Sequence, residues 1–138
     1  MYTTPGKVCT IANGSRIKPL TGSSGNDTVT IDGTHHRSTT NPNGLPMRTV
    51  TSLHTGAGDD EVTVSMTTGD GFLVVDAGAG DDTVDADSSA SLGMSTLPMV
   101  VFGGAGDDII HTGSGDDILF GDLGRVLFYD GADLVMRF

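Results

Sequence analysis

The sequence predicts an all-β fold, a right-handed parallel β-solenoid in which short strands stack as successive coils. One short glycine- and aspartate-rich motif recurs five times within the 138 residues, and such internal repetition is typical of stacked repeat architectures. The segments between the motifs show apolar runs or apolar–polar alternation, the patterns of buried and half-buried strands. No segment has a helical period, so we expect strands and turns throughout.

The motif has the form x-G-x-G-D-D-x-U, in which U is a large aliphatic residue. Its five copies occupy residues 22–29, 55–62, 77–84, 103–110 and 112–119. The sixth-place aspartate and the eighth-place aliphatic residue occur in every copy. The first copy is degenerate, because Ser23 and Asn26 replace a glycine and an acid. The same residue types recur at the same places in five segments, which indicates a structural repeat.

Acidic residues dominate the charge of the chain, with 18 acids against 7 bases and a formal net charge of −11. All the acids except Glu61 are aspartates, which places the carboxylates in turns, close to the backbone. Residues 49–124 contain no Lys or Arg, so nothing in that segment neutralises its acids. Repulsion then opposes compaction unless cations bind, and nucleic acid is excluded as a partner.

Strand patterns follow each motif. Residues 61–66 alternate apolar and polar, as in a half-buried strand, whereas residues 72–75 and 98–102 are continuous apolar runs, as in buried parallel strands. The turns between these strands, 67–71 and 87–96, lack the motif. The pattern therefore predicts an enlarged coil of about 22 residues with the motif on one side only.

The motif chemistry favours calcium. Ca²⁺ takes six to eight oxygen ligands, and glycines allow a turn to direct several carbonyls inward. The short aspartate side chain closes such a site, whereas a glutamate would overshoot it. Mg²⁺ is disfavoured because it retains its waters and requires strict octahedral geometry.

These residues closely resemble the G-G-x-G-x-D-x-U-x nonapeptide of the RTX family, best over 103–120, where two nonapeptides abut. The resemblance implies a parallel β-roll with several Ca²⁺ ions bound between successive turns. It implies sixth-place carboxylate ligands at Asp27, Asp60, Asp82, Asp108 and Asp117, and inward aliphatic residues at Val29, Val62, Val84, Ile110 and Leu119. It implies carbonyl ligands from the turn glycines Gly56, Gly58, Gly78, Gly80, Gly104, Gly106, Gly113 and Gly115. The fifth-place residues Asn26, Asp59, Asp81, Asp107 and Asp116 are expected to support these sites from outside.

Family repeats run without interruption, whereas four of the copies here are separated by longer segments. We therefore expect one principal row of ions beneath residues 56–60, 78–82 and 104–108. Asp117 is expected on the opposite side of the roll.

Enzymatic activity is not expected. Paired aspartates can act as a catalytic dyad, but pairs that recur in five turns indicate a structural metal. His35 and His36 can bind a transition metal, although adjacent histidines in a polar loop are more often solvated. The sequence contains no H-E-x-x-H protease motif. Cys9 cannot form an internal disulfide, and we expect it to be a small buried residue.

The chain is interpreted as a single β-solenoid domain, with calcium-repeat coils at 22–121, a loop insertion at 34–48 and a terminal hairpin or edge at 122–138. The C-terminal residues 134–138 form an apolar edge without a polar cap. This favours an extracellular or cell-surface structural or adhesive module that stacks end to end or joins copies in a longer chain. The alternative is an accessory calcium-dependent folding module of a secreted toxin or enzyme. No membrane span is expected.

Overall fold

A computed structural model describes residues 24–32, 50–66, 72–87 and 95–124 in full, and the backbone of 8–11, 127–130 and 133–137. These residues form eleven strands and no helix that could cross a membrane. The strands are β1 (Val8–Ile11), β2 (Thr28–Ile31), β3 (Val50–His54), β4 (Glu61–Val64), β5 (Phe72–Ala79), β6 (Thr83–Asp85), β7 (Met99–Ala105), β8 (Ile109–His111), β9 (Ile118–Phe120), β10 (Leu127–Asp130) and β11 (Asp133–Arg137).

Two parallel sheets form the body of the molecule. The first sheet has the order β1-β2-β4-β6-β8, and the second has the order β3-β5-β7-β9. From β2 to β9 consecutive strands alternate between the two sheets, so the chain winds as a coil and the predicted β-solenoid is confirmed. Strands β10 and β11 form a separate antiparallel pair, which confirms the predicted C-terminal hairpin.

The coils differ in length. Glu61 pairs with Thr83, Thr83 pairs with Ile109, and Val100 pairs with Ile118, so these coils span 22, 26 and 18 residues. The 22-residue coil agrees with the sequence prediction, and the 18-residue coil contains the two adjacent motifs. The predicted insertion at 34–48, with His35 and His36, lies outside the described residues, and the domain boundaries stay a prediction.

The core lies between the two sheets and contains the eighth-place residues of the first three motifs. Val29, Val62 and Val84 are buried there, and Ile110 is partly buried against them. Leu119 is in register with the core residue Val101 and so faces inward as expected, but its side chain is 50% exposed. Leu119 lies on β9, the last strand of the second sheet, and no described strand covers that side of it.

The outer faces of the two sheets differ in polarity. The first sheet presents mainly polar residues outward, such as Thr28, Thr30, Thr63 and Asp85. The second sheet presents a second apolar cluster, which we call the outer apolar face: Val50, Phe72, Val74, Val100, Phe102 and Phe120. Phe102 and Phe120 are in register on β7 and β9, and their rings stack at 4.9 Å.

Candidate metal centre

The first four motifs form one column of stacked turns. Each turn precedes a strand of the first sheet, so in-register pairing of β2, β4, β6 and β8 places the sixth-place aspartates above one another. In the second, third and fourth motifs the turns depend on glycine at the second and fourth places. There the backbone has positive φ, for example 103° at Gly78 and 136° at Gly80, a region that L-residues with a side chain rarely adopt.

The sixth-place aspartates form a continuous inner ladder. The Asp27 amide donates to Asp60 Oδ1 at 2.7 Å, and the Asp60 amide donates to Asp82 Oδ1 at 2.8 Å. The Asp82 amide in turn donates to Asp108 Oδ1 at 3.1 Å. The carboxylates of Asp60, Asp82 and Asp108 therefore each accept a hydrogen bond from the preceding coil, and Asp27 joins the ladder through its amide, which holds the four candidate ligands in one line.

The fifth-place residues form a second, outer ladder that runs in the opposite direction. The Asp59 amide donates to Asn26 Oδ1 at 3.0 Å, the Asp81 amide donates to Asp59 Oδ1 at 3.1 Å, and the Asp107 amide donates to Asp81 Oδ1 at 3.0 Å. All four side chains are exposed. Sequence reasoning assigned these residues a supporting role towards the ions and missed the ladder. Asn26 was the signal for this ladder in the sequence. An asparagine has one side-chain oxygen acceptor, Oδ1, where an aspartate has two, so its presence at the fifth place indicates that a single acceptor is enough there.

The strands of the second sheet extend further into the motif than predicted. β5 continues to Ala79 and β7 to Ala105, so the first three places of these motifs lie in strands, and the second and third places are paired in register. Turn carbonyls therefore accept amide hydrogen bonds: Gly58 donates to the Ala79 carbonyl at 2.8 Å and Ala79 donates to the Gly56 carbonyl at 3.0 Å. A carbonyl oxygen has two lone pairs, so the predicted carbonyl ligands keep one further acceptor position.

The inner ladder leaves one buried oxygen on several carboxylates without a hydrogen-bond partner. These atoms are Oδ2 of Asp60, Asp82 and Asp108. Burial, together with the negative charges of Asp60, Asp108 and Asp59, raises the pKa of Asp82 from 3.8 to about 6. A buried line of carboxylates with orphaned oxygens fits a bound divalent cation, which supplies the missing partner and the compensating charge.

The donor set fits calcium better than a transition metal. Within the described residues no three acidic, histidine or cysteine side chains converge to form a metal site by themselves. Backbone oxygens are therefore needed to complete the coordination, and an all-oxygen set of carboxylates and carbonyls is the kind that Ca²⁺ prefers. The ions would supply positive charge to the inner ladder and carry out no chemical step.

Asp117 lies in the turn on the other side of the solenoid, as predicted. It precedes β9 of the second sheet, and its Oδ1 accepts the Met99 amide at 2.9 Å, the same geometry as in the inner ladder. The Ser114 amide donates to the Ser95 carbonyl, which stacks the 112–117 turn on the preceding coil. The preceding coil has Met99 in place of an aspartate and Pro98 one residue earlier, so neither aspartate ladder extends to this side.

Asp59→Asn should preserve the outer ladder and relieve charge repulsion. The amide side chain keeps the Oδ1 acceptor for Asp81, as Asn26 does for Asp59, but removes one of the charges that raise the pKa of Asp82. In chelator at neutral pH, we expect Asp59→Asn to retain more of the β-sheet signal in circular dichroism than the unmodified chain does. Asp59→Ala is the matched control: it also removes the charge but leaves the Asp81 amide without its acceptor, at a cost of about 1 kcal/mol. Equal signals for the two variants would contradict the ladder.

Without calcium, the fold should be more stable at acidic than at neutral pH. The pKa of Asp82 is about 6 in the folded chain against 3.8 for the free group, so folding favours its protonated form. The resulting stabilisation is complete below pH 3.8 and is lost as the pH rises through about 6. Circular dichroism in chelator at pH 4 and pH 7 measures the difference, because more of the β-sheet signal should remain at pH 4. Asp82→Asn should reduce the difference, and a stronger β-sheet signal at pH 7 than at pH 4 in the unmodified chain would contradict the assignment.

The comparison with protein families agrees with this geometry. The RTX calcium-binding nonapeptide repeat is detected in four copies, at residues 67–90 and 100–125. These ranges contain the third, fourth and fifth motifs, with Asp82, Asp108 and Asp117. RTX nonapeptide repeats form a β-roll and bind calcium ions. No curated protein and no solved structure matches the chain.

Proposed function

We propose that this chain, which carries RTX calcium-binding nonapeptide repeats, is a calcium-stabilised structural or adhesive module of an extracellular or cell-surface protein. RTX repeat proteins are typically secreted. Extracellular calcium modules have dissociation constants of about 10⁻⁴–10⁻³ M, a range in which sites fill outside the cell. In this proposal the paired aspartates have a structural role, because their side chains accept hydrogen bonds from backbone amides of neighbouring coils. The chain is accordingly proposed not to be an enzyme.

Stacking of copies end to end is supported by the open end of the solenoid. Strands β8 and β9 are the last strands of the two sheets, and no further described strand pairs with them. Their side chains include Ile109, 54% exposed, and Leu119, 50% exposed, next to Ile118 at 40%. An apolar end with two open strand edges is a surface that another strand can pair with and cover.

The test is sedimentation of the purified chain across a calcium titration, with circular dichroism recorded in parallel. We expect folding and assembly to rise together between about 0.1 and 1 mM calcium. Leu119→Lys should preserve folding and prevent assembly, because it places a charge on the open edge. Thr63→Lys is the matched control, since it adds the same charge to β4, which is paired with β2 and β6 on both sides.

A chain that folds with calcium but remains monomeric would overturn the stacking proposal. The accessory calcium-dependent folding module of a secreted toxin or enzyme would then be the better function. Assembly that is unaffected by Leu119→Lys would instead place the contact elsewhere on the molecule.

A further inference from the structure

The outer apolar face has three buried and three partly buried residues, although it points away from the core between the sheets. Val74 is 2% exposed and Val100 is fully buried, and both lie on the opposite side of their strands from the core residues Val75 and Val101. A residue on the outside of a two-sheet body reaches this degree of burial only under another layer of chain.

Among the side chains that the structure describes, only those of the second sheet form such a face. The outward-facing positions of β2, β4 and β6 in the first sheet are threonines and acids, and their side chains are partly or fully exposed. Six large apolar residues on one outer face bury enough apolar surface to hold a covering segment in place, at roughly 25 cal/mol for each Å² removed from water.

The chain itself turns towards this face after the last coil. Gly124 lies so close to the Phe120 ring that a Cβ atom there would be 2.7 Å from Phe120 Cγ. Leu123 and Gly124 also line a cleft of about 90 Å³ with Phe102 and Asp76, which belong to β7 and β5. The described chain therefore leaves β9 across the outer apolar face rather than across the open end.

We infer that the hairpin β10–β11 packs on the outer apolar face as a third layer and clamps the last coils from the side. Only two residues separate Gly124 from β10, so the hairpin begins within about 11 Å of Gly124. A two-stranded hairpin is at best marginally stable alone in water and needs a surface to pack on. Its nine strand residues include six large apolar ones: Leu127, Phe128, Tyr129, Leu134, Val135 and Met136.

The segment between β2 and β3 is the competing occupant. Residues 33–49 contain only two large aliphatic residues, Leu45 and Met47, among histidines, threonines, asparagines and prolines. The hairpin supplies far more apolar surface per residue, which is why it fits this face better.

This inference does not depend on the stacking proposal, but it bears on the open end. A hairpin that lies along the side of the second sheet does not cover Ile109 or Leu119. The terminal segment then stabilises the last coil while β8 and β9 stay accessible to a partner.

Thiol protection tests the inference with two neighbouring residues of β7. In a Cys9→Ser background, Val100→Cys reports the outer apolar face and Val101→Cys reports the core, and both native side chains are fully buried. We expect slow thiol labelling of both in the full chain with calcium. In a chain ending at residue 125, labelling of Val100→Cys should rise at least tenfold while Val101→Cys stays protected. Continued protection of Val100→Cys in a truncated chain with unchanged circular dichroism would overturn the inference.

Photo-crosslinking tests it without truncation. Asp76 is replaced by p-benzoylphenylalanine, because its side chain is partly exposed and faces the cleft beside Leu123. Trypsin leaves 49–125 intact, since no Lys or Arg occurs before Arg125, and releases 126–137 and 38–48 as separate peptides. A crosslink from 49–125 to 126–137 is the expected product. A crosslink to 38–48, or one confined to 49–125, would overturn the inference.

Discussion

Gly80→Ala is expected to destabilise the calcium-bound fold by about 2–5 kcal/mol. Gly80 has φ +136°, and a Cβ atom there would lie 2.6 Å from the Gly58 carbonyl carbon in the preceding coil. Backbone strain at positive φ and overpacking each cost about 1–3 kcal/mol, and neither neighbour can move because both turns are in the ladders. Urea unfolding at saturating calcium, followed by circular dichroism, measures the loss.

The chain provides a matched control for this substitution. A Cβ atom at Gly121 would meet nothing within 4 Å, so Gly121→Ala makes the same glycine-to-alanine substitution without creating a close contact. We expect it to leave the unfolding midpoint almost unchanged. If the two variants unfolded at the same urea concentration, close stacking of the turns would not be a source of stability.

Removal of calcium with a chelator at neutral pH is expected to abolish most of the β-sheet signal in circular dichroism. The inner ladder then contains buried carboxylates with orphaned Oδ2 atoms and no compensating charge, in a segment without Lys or Arg. Because calcium binds the folded column, its binding free energy contributes directly to folding. Re-addition of calcium should restore the signal.

Magnesium is the control in this experiment. It has the same charge as calcium but needs a small octahedral site and gives up its waters reluctantly, so it should restore much less of the signal at equal concentration. A spectrum that is unchanged by chelation would contradict a calcium-dependent fold.

The fold was predictable because the motif and the strands repeat together. Since the sixth-place aspartate always stands directly before a strand and two residues before its aliphatic residue, parallel pairing of the strands of the first sheet stacks the aspartates in a column. The 22-residue coil and the position of Asp117 on the opposite side follow from the same spacing. The antiparallel hairpin followed from a turn-forming Gly-Ala pair between two apolar runs.

Three features could not be predicted from the pattern. A repeat shows which residues recur, but it does not show which coil supplies the amide that each carboxylate accepts, so the outer ladder through Asp59 and Asp81 was missed. Leu119 is exposed because no further described strand pairs with β9, and a residue within a regular repeat does not reveal which coil is the last one described. The continuous apolar run 98–102 predicted a buried strand, and Val100 is buried, but the pattern does not show which segment of the chain covers it.

The turns on the two sides of the solenoid differ in how much their length varies. On the side of the inner ladder the three described connections between the sheets are equivalent: the in-register residues His54, Asp76 and Phe102 each lie seven residues before the in-register residues Glu61, Thr83 and Ile109. On the other side the connections range from six residues, 112–117, to eighteen, 32–49. Insertions and deletions can therefore accumulate on one side without disturbing the calcium column. That side is where related sequences are free to acquire new loops, and where a foreign peptide could be grafted at the least cost to folding.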